Sequence, residues 1–347
     1  MNYKKKIFFF IPSLNSGGAE RVCLNFFKSV DIDEYDPYLI LINNNLNLNE
    51  DINFFKKYNN KIIDLNTKKL IFCFFKINNL LKDHKPHYIF STHGYINLFL
   101  LMYKFLGFDF KIIIREANMP SISLTKSKFF YEKYLFRRMY EFLYPKADKI
   151  IASSSLMANE LSNMLNINQN IITKINNPID TEFIINKSKY KNPINKINKN
   201  DIQLVCSGRL VYQKGFDLLI KIFTQLPDNF YLTILGDGPE KNNLINIFKK
   251  NKLTNRIFFL NYIKNPWIWY QNCDAVIIPS RWEGMSNTFL ESLLCKANII
   301  ISDKAGGFQD LIKNNLKISV YETEIEMINL IKNVQIKKND SDYEFNK

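Results

Sequence analysis

The sequence predicts two consecutive doubly wound α/β domains, and three observations lead there. Short apolar runs of strand length alternate with stretches of helical periodicity along most of the chain. That alternation breaks once, in a polar stretch, and then restarts. The chain's 347 residues also exceed what one core usually organises, although length alone would fit a large barrel equally well. Strands alternating with helices imply parallel sheets covered on both faces.

In the first half, Lys6–Pro12 reads as a strand, SLNSGG as a turn-rich loop and AERVCLNFFKSV as a helix with one apolar face. Further strands are expected at Tyr38–Ile42, Lys61–Leu65, Tyr88–Ser91, Lys111–Arg115 and Lys149–Ala152, separated by helices such as Leu70–Lys82 and Phe129–Tyr144. Between Asn176 and Asn200 the chain turns polar, carries Pro178 and Pro193 and loses periodicity, as an interdomain connection does. The first domain is therefore placed at residues 1–180 and the second at 198–347. In the second, strands are expected at Gln203–Ser207, Tyr231–Leu235, Ile257–Leu260, Ala275–Pro279 and Asn298–Ser302, and helices at Phe216–Gln225, Glu240–Lys249 and Thr288–Cys295. No repeat of solenoid length is present, and the polar tail beyond Asn333 is expected to fray. Ligands of such sheets bind beyond the carboxyl ends of the strands, so a cleft between the two domains is expected.

A composition of 46% hydrophobic and 23% charged residues is that of a folded protein, and 29 Phe and 18 Tyr supply aromatic surface for two cores. A net charge of +14 asks for an anionic partner. Nucleic acid, anionic lipid headgroups and a diphosphate substrate each satisfy it, and so does a merely solvated Lys-rich surface. The opening MNYKKKIFFFIPSLN reads as a strand, because its apolar run stops at Pro12 without a small-residue cleavage site. The stretch Ile96–Phe108 contains Lys104 and falls short of the roughly 20 residues a spanning helix needs, so no transmembrane segment is expected. Cys23, Cys73, Cys206, Cys273 and Cys295 show no CxxC spacing and read as reduced core thiols in a cytoplasmic protein. His84 and His87 flank Pro86 and read as a solvated turn, so the three histidines, His93 included, do not suggest a metal site.

Two segments of the second half carry chemistry. CSGRLVYQKGFDLLI sets Arg209 and Lys214 in a loop between strand and helix, bracketed by Gly208 and Gly215. Fixed cations there stabilise a departing diphosphate without a metal; the competing reading is a basic surface turn. SRWEGMSNTFLESLLC presents Glu283, a Gly-containing loop and a helix starting near Ser286 and Asn287. The unpaired amides of a helix N-terminus suit phosphate, while the carboxylates of Glu283 and Glu291 suit the hydroxyls of a sugar and a ribose. The alternative is that one glutamate caps the helix and the other lies in solvent.

The combination of GRLVYQKG, ILGDGPE and EGMSNTFLE strongly resembles the C-terminal domain of the group 1 glycosyltransferases, also called glycosyltransferase family 4. SGGAER resembles their first loop, and the agreement runs from residue 6 to about 312. The resemblance implies a GT-B fold, two Rossmann-like domains facing across a cleft, and transfer with retention of anomeric configuration. It implies that Arg209 and Lys214 contact the donor diphosphate, Glu283 the transferred sugar and Glu291 the ribose. The backbone at Met285, Ser286 and Asn287 would cradle phosphate, Gly236 and Gly238 would let the chain approach the nucleotide, and Leu260–Ile263 would lie near the base. For those glycines an ordinary strand-to-helix turn is the rival reading. Gly17 and Gly18 sit where a strand meets a helix and are expected to admit a phosphate or an acceptor, a conformational turn being the alternative. Where the family often has a histidine after the strand ending IIIREANMP, this chain has Glu116, preceded by Arg115. Glu116 is therefore a candidate to stabilise the sugar's developing charge or bind the acceptor, with His93 as the second candidate.

On the acceptor side, KSKFFYEKYLFRRMYEFLYPKADK interleaves aromatics with Lys126, Lys128, Lys133, Arg137, Arg138 and Lys146. Such a helix either lies on an anionic bilayer or packs on a core with its lysines in water. The resemblance favours the membrane, because many family members build glycans on polyprenyl diphosphate or lipopolysaccharide. The expected protein is thus a cytoplasmic enzyme, peripheral on the inner face of the membrane. It would move a hexose or N-acetylhexosamine from a UDP-sugar to a lipid-linked saccharide of a bacterial O-antigen, lipopolysaccharide or capsule, with neither metal nor cofactor. A GT-B epimerase acting on UDP-N-acetylglucosamine is the nearest alternative. A nucleic-acid-binding protein would explain the charge, but no helix-turn-helix, zinc or RNA-recognition signature is present. A dinucleotide oxidoreductase lacks its G-x-G-x-x-G after the first strand.

Overall fold

A computed structural model describes residues 4–14, 17–43, 58–67, 70–119, 121–122, 130–194, 200–312 and 317–334. The chain forms two compact units, Met1–Pro178 and Ile179–Lys347. In the first, the described strands are β1 (Lys5–Ile11), β2 (Tyr35–Leu41), β3 (Ile62–Asp64), β4 (Tyr88–Ser91), β5 (Lys111–Arg115), β6 (Lys149–Ala152) and β7 (Ile172–Lys174). They lie in the spatial order β3-β2-β1-β4-β5-β6-β7, all parallel. The winding reverses between β1 and β4.

Strand β1 shows why an uninterrupted apolar run makes a central strand here. Phe8 and Phe10 enter one core with Ile77, Leu81, Ile96 and Leu100, while Phe9 and Ile11 enter another with Cys23, Leu24 and Phe27. Alternate side chains point to opposite faces, and helices cover both. The greasy stretch after His93 is one of those helices, Gly94–Phe105, buried along Ile96, Leu98, Leu100, Leu101 and Tyr103. Among the described residues no helix is long and apolar enough to cross a membrane.

The second unit repeats the plan with β8 (Ile202–Ser207), β9 (Phe230–Leu235), β10 (Ile257–Leu260), β11 (Ala275–Ile278), β12 (Ile299–Ser302) and β13 (Ile318–Tyr321). Their order is β10-β9-β8-β11-β12-β13, again parallel, with the reversal between β8 and β11. Val205 faces one core cluster while Leu204 and Cys206 face the other.

Three expectations change. The stretch 176–200 is not a plain connector, because Thr181–Ser188 is a helix of the second unit. Asp180 caps it by accepting from the Phe183 amide at 3.0 Å, and Ile184, 3% exposed, anchors it to the core beside Trp267 and Leu290. Strands β7 and β13 were not expected; both are short edge strands carrying half-exposed residues, so their pattern is weak. The Phe129–Tyr144 helix is present as Phe130–Leu143, but Lys126 and Lys128, like the tail from residue 335, lie outside the described residues. All five cysteines are buried free thiols, as expected.

Where β9 ends, Gly236 has φ 150°, and a Cβ there would lie 2.0 Å from the Gly208 carbonyl oxygen. The loops after β8 and β9 pack backbone to backbone at this point. Gly236→Ala is expected to lower stability by roughly 2–4 kcal/mol, read as a lower denaturant midpoint. Gly107→Ala, at φ 91° with open space around it, serves as the control and costs about 1 kcal/mol. Equal small losses at both positions would show that the loop contact does not constrain the fold.

Candidate functional site

At the reversal of the second sheet, two loops run side by side. After β8 the chain passes through Gly208 and the exposed Arg209 into a tight turn, Tyr212–Lys214, which ends at Gly215. After β11 it runs from Pro279 to Ser286 before entering the helix Asn287–Leu294. Lys214 Nζ donates to Glu283 Oε1 at 2.9 Å, and Ser280 Oγ donates to the same oxygen at 2.5 Å. Glu283 is only 7% exposed, so its charge depends on these two donors for compensation.

The loops are joined a second time by Arg281. Its guanidinium donates to both Asp217 oxygens at 2.7 and 2.6 Å, donates to the Tyr212 carbonyl at 2.7 Å and lies 3.8 Å from the centre of the Tyr212 ring. Burial pushes the Asp217 carboxyl up, but Arg281 outweighs it and holds the group below its ordinary value. Gln213 Nε2 adds a bond to the Trp282 carbonyl at 3.0 Å. Arg209 is exposed and makes no ion pair among the described residues. Gly236 and Gly238 complete the corner: a Cβ on Gly238 would come within 2.5 Å of the Leu210 carbonyl oxygen. Both glycines are thus required by the chain's own loop packing.

The helix following the second loop starts where expected. Ser286, 1% exposed, is its cap, its Oγ accepting from the Phe289 amide at 3.4 Å, and Met285 and Asn287 flank it. Neither glutamate caps the helix and neither lies in solvent, so that alternative fails. Glu291 is in the second turn, 2% exposed, with Oε2 accepting from Trp267 Nε1 at 2.9 Å. Trp267 gave no signal in the sequence as its partner. Together the corner offers an ammonium, a free-standing guanidinium and helix-start amides for an anion, beside a fixed carboxylate for hydroxyls.

In the first unit the reversal brings together the ends of β1 and β4. Gly17 caps the helix Gly18–Lys28, and Gly18 is exposed at its first position. His93, at the cap of the helix Gly94–Phe105, has its Nε2 3.5 Å from Glu20 Oε1. Arg115 ends β5, 2% exposed, donating to Thr92 Oγ1 at 2.8 Å and to Asn177 Oδ1; burial lowers its guanidinium to about 10. Glu116 lies in a closed polar cluster: Oε1 accepts from Tyr144 Oη and from Asn97 Nδ2 at 3.3 Å, and the Tyr140 and Tyr144 rings stack 4.4 Å apart beside it. It is 3% exposed, so contact with a substrate would require that cover to open.

Burial pushes the Glu116 carboxyl up to about 7, against the opposing hydrogen bonds of Tyr144 and Asn97. The native state therefore holds this proton more tightly than the unfolded chain does. Its contribution to stability is complete below the ordinary glutamate value and is lost as pH rises through about 7. The wild type is expected to lose up to about 3 kcal/mol from this group across that window, and Glu116→Gln should remove that part of the slope. Parallel stability–pH curves for the two proteins would contradict the assignment.

Comparison with known proteins bears on both units. Residues 188–340 match the family model described as Glycosyl transferases group 1, and residues 16–183 match that of Glycosyltransferase Family 4. One relative, from Campylobacter jejuni, is 28% identical over 88% of this chain and 83% of its own length. It is named N-acetylgalactosamine-N,N'-diacetylbacillosaminyl-diphospho-undecaprenol 4-alpha-N-acetylgalactosaminyltransferase. The O-antigen biosynthesis glycosyltransferase WclY of Escherichia coli is 32% identical over 45% of this chain and 43% of its own. Among solved structures, Anabaena HepE in complex with UDP-glucose superposes with a TM-score of 0.75 at 18% identity, covering 94% of this chain and 88% of that one. WaaG, a glycosyltransferase involved in lipopolysaccharide biosynthesis, does so with a TM-score of 0.71 at 12% identity, covering 94% and 90%. With two parallel α/β units, a charged corner at the sheet reversal and a family match over both halves, the chain belongs to the group 1 glycosyltransferases and has the GT-B fold.

Proposed function

We propose that this glycosyltransferase moves a hexose or N-acetylhexosamine from a UDP-sugar to a lipid-linked saccharide during assembly of a bacterial surface polysaccharide, retaining the anomeric configuration. The observation that carries the reading is the Lys214–Glu283 pair, held at 2.9 Å between two loops beside a helix start. The Campylobacter relative is named for a diphospho-undecaprenol-linked saccharide, and HepE has been seen with UDP and UDP-glucose, which supports both substrate classes.

In this reading the donor diphosphate lies against Lys214, Arg209 and the amides at Met285, Ser286 and Asn287. Glu283 accepts hydrogen bonds from the transferred sugar, and Glu291, steadied by Trp267, serves the ribose. Gly236 and Gly238 keep the neighbouring loop close to the nucleotide. The bond between the anomeric carbon and the diphosphate oxygen breaks, and a bond from the acceptor hydroxyl oxygen forms on the same face. The hydroxyl proton passes to the departing diphosphate oxygen, so no enzyme nucleophile, metal or cofactor is required. Fixed positive charge lowers the barrier because it acts where negative charge develops. The first unit takes the acceptor, with Gly17 and Gly18 bordering it and Glu116 supporting that unit's own loops from its closed cluster.

Contact with the inner face of the membrane forms part of the proposal. Tyr134, Leu135, Phe136 and Phe142 are exposed beside Arg137 and Arg138, and Lys146 lies over the rings of Phe105 and Phe142. Aromatic and basic groups so mixed suit an anionic bilayer surface.

The test uses purified protein, a panel of UDP-, GDP- and ADP-sugars, and undecaprenyl-diphosphate-linked N-acetylhexosamines supplied in vesicles containing anionic lipid. Transfer is expected from a UDP-sugar, with the product's anomeric coupling matching the donor's. Glu283→Gln and Lys214→Ala should each lower kcat by roughly 10²–10³-fold, Glu283→Gln while still binding UDP. The protein should sediment with the vesicles, less so after Phe142→Ser. An inverted product would overturn retention, release of a free sugar isomer would point to an epimerase, and full activity in Lys214→Ala would sink the site assignment.

A further inference from the structure

We infer that Glu20 is a positioning residue whose carboxylate orients His93, and that His93 in turn receives the acceptor's attacking hydroxyl. The inference rests on the transfer reading above but on a different unit and different residues. His93 follows β4 and Glu20 lies in the first turn of the helix that follows β1, so the pair spans the reversal of the first sheet. That is where sheets of this kind take their ligands.

Three observations single the pair out. The His93 Nε2 is shielded from solvent and makes no hydrogen bond of normal geometry among the described residues; Glu20 Oε1 lies 3.5 Å from it. A shielded ring nitrogen without a partner is costly unless a small movement or a ligand completes its bonding. The imidazole is not used to cap its own helix either. Gly17 then explains how the carboxylate reaches this position: a Cβ on residue 17 would lie 1.9 Å from Glu20 Oε2. The carboxylate thus lies over the open side of Gly17. Finally, the ring of Tyr95, 50% exposed, lies with its centre 5.8 Å from that of His93. Burial and then the Glu20 charge push the Tyr95 phenol up to about 12, which marks the carboxylate's reach.

A small rotation that turns the Nε2–H onto Glu20 leaves Nδ1 as a hydrogen-bond acceptor. A carbohydrate hydroxyl that donates to Nδ1 keeps its oxygen lone pairs free for attack. The ring only orients this hydroxyl; its proton still leaves with the diphosphate, and the imidazole ends the turnover unchanged. A carboxylate behind a histidine fixes both tautomer and ring orientation, and at metal-ligating histidines losing such a partner typically costs 10–100-fold. A helix-start role for Glu20 accounts for its place over Gly17, but not for its approach to His93.

The chain has three histidines, so nitrogen-15 labelling of histidine gives three resolvable ring systems, with His84 and His87 as internal references. The wild type is expected to show His93 as the Nε2–H tautomer. Glu20→Ala, and Glu20→Gln should the first variant fold poorly, should shift His93 alone toward a mixture. Transfer to undecaprenyl-diphosphate-linked N-acetylhexosamine should fall about 10–100-fold in Glu20→Ala, with thermal stabilisation by UDP unchanged. A wild-type His93 in the Nδ1–H form, or ring signals indifferent to Glu20, would overturn the inference whatever the activity. Wild-type failure to bind UDP would instead count against the donor site and leave the tautomer result to decide this one.

Discussion

Each sheet winds outward from two central strands, and at that reversal the helices following those strands leave toward opposite faces. The two loops are then neighbours with no crossover between them, and this constraint decides where charged groups can stand close together without being covered. In the second unit the loops after β8 and β11 occupy this place, and Lys214 meets Glu283 across it at 2.9 Å. In the first unit the reversal lies between β1 and β4, and there Glu20 faces His93. The same topology has produced two charged corners of different chemistry, a lysine–glutamate pair and a histidine–glutamate pair.

The Lys214–Glu283 corner is expensive in the usual sense of buried charge. Taking a carboxylate out of water costs several kcal/mol unless good geometry and further bonds compensate. Ser280 supplies one such bond, and Arg281, gripping Asp217 and the Tyr212 carbonyl, keeps the two loops from separating. Gly236 lets a third loop press on the first at a distance no side chain would allow. Rigidity of this kind is what electrostatic catalysis needs, since a donor that must reorganise during reaction loses most of its advantage. The closed cluster around Glu116 is of another sort: Tyr144 and Asn97 satisfy the carboxyl internally, so the group is bound into the core.

Much of this organisation was legible in the residues. Runs such as KIFFFI and QLVCS read as doubly covered strands because period-two burial on both faces leaves no polar alternation, and β4, β5, β6 and β10 have the expected bounds. Ser286 as a helix start followed from its residue type. What was not legible is mostly long-range. Glu283 and Lys214 stood in separate motifs, and nothing local announced that Ser280 and Arg281 would bind them together. Trp267 has no periodic relation to Glu291, and Glu20 could be read only as part of a helix start until β4 was seen to lie beside β1. Glu116 looked available because it follows a strand, yet the aromatic pair that covers it comes from the end of a helix and the turn after it, more than twenty residues later. Edge strands β7 and β13 escaped notice because a half-exposed strand of three or four residues carries too little pattern.

The most direct measurement is a crystal structure of the protein with a UDP-sugar bound. The account predicts the diphosphate oxygens within hydrogen-bonding distance of Lys214 Nζ and of the amides at Ser286 and Asn287, with the sugar hydroxyls on Glu283. A nucleotide ordered elsewhere, with the Lys214–Glu283 corner left untouched, would contradict it.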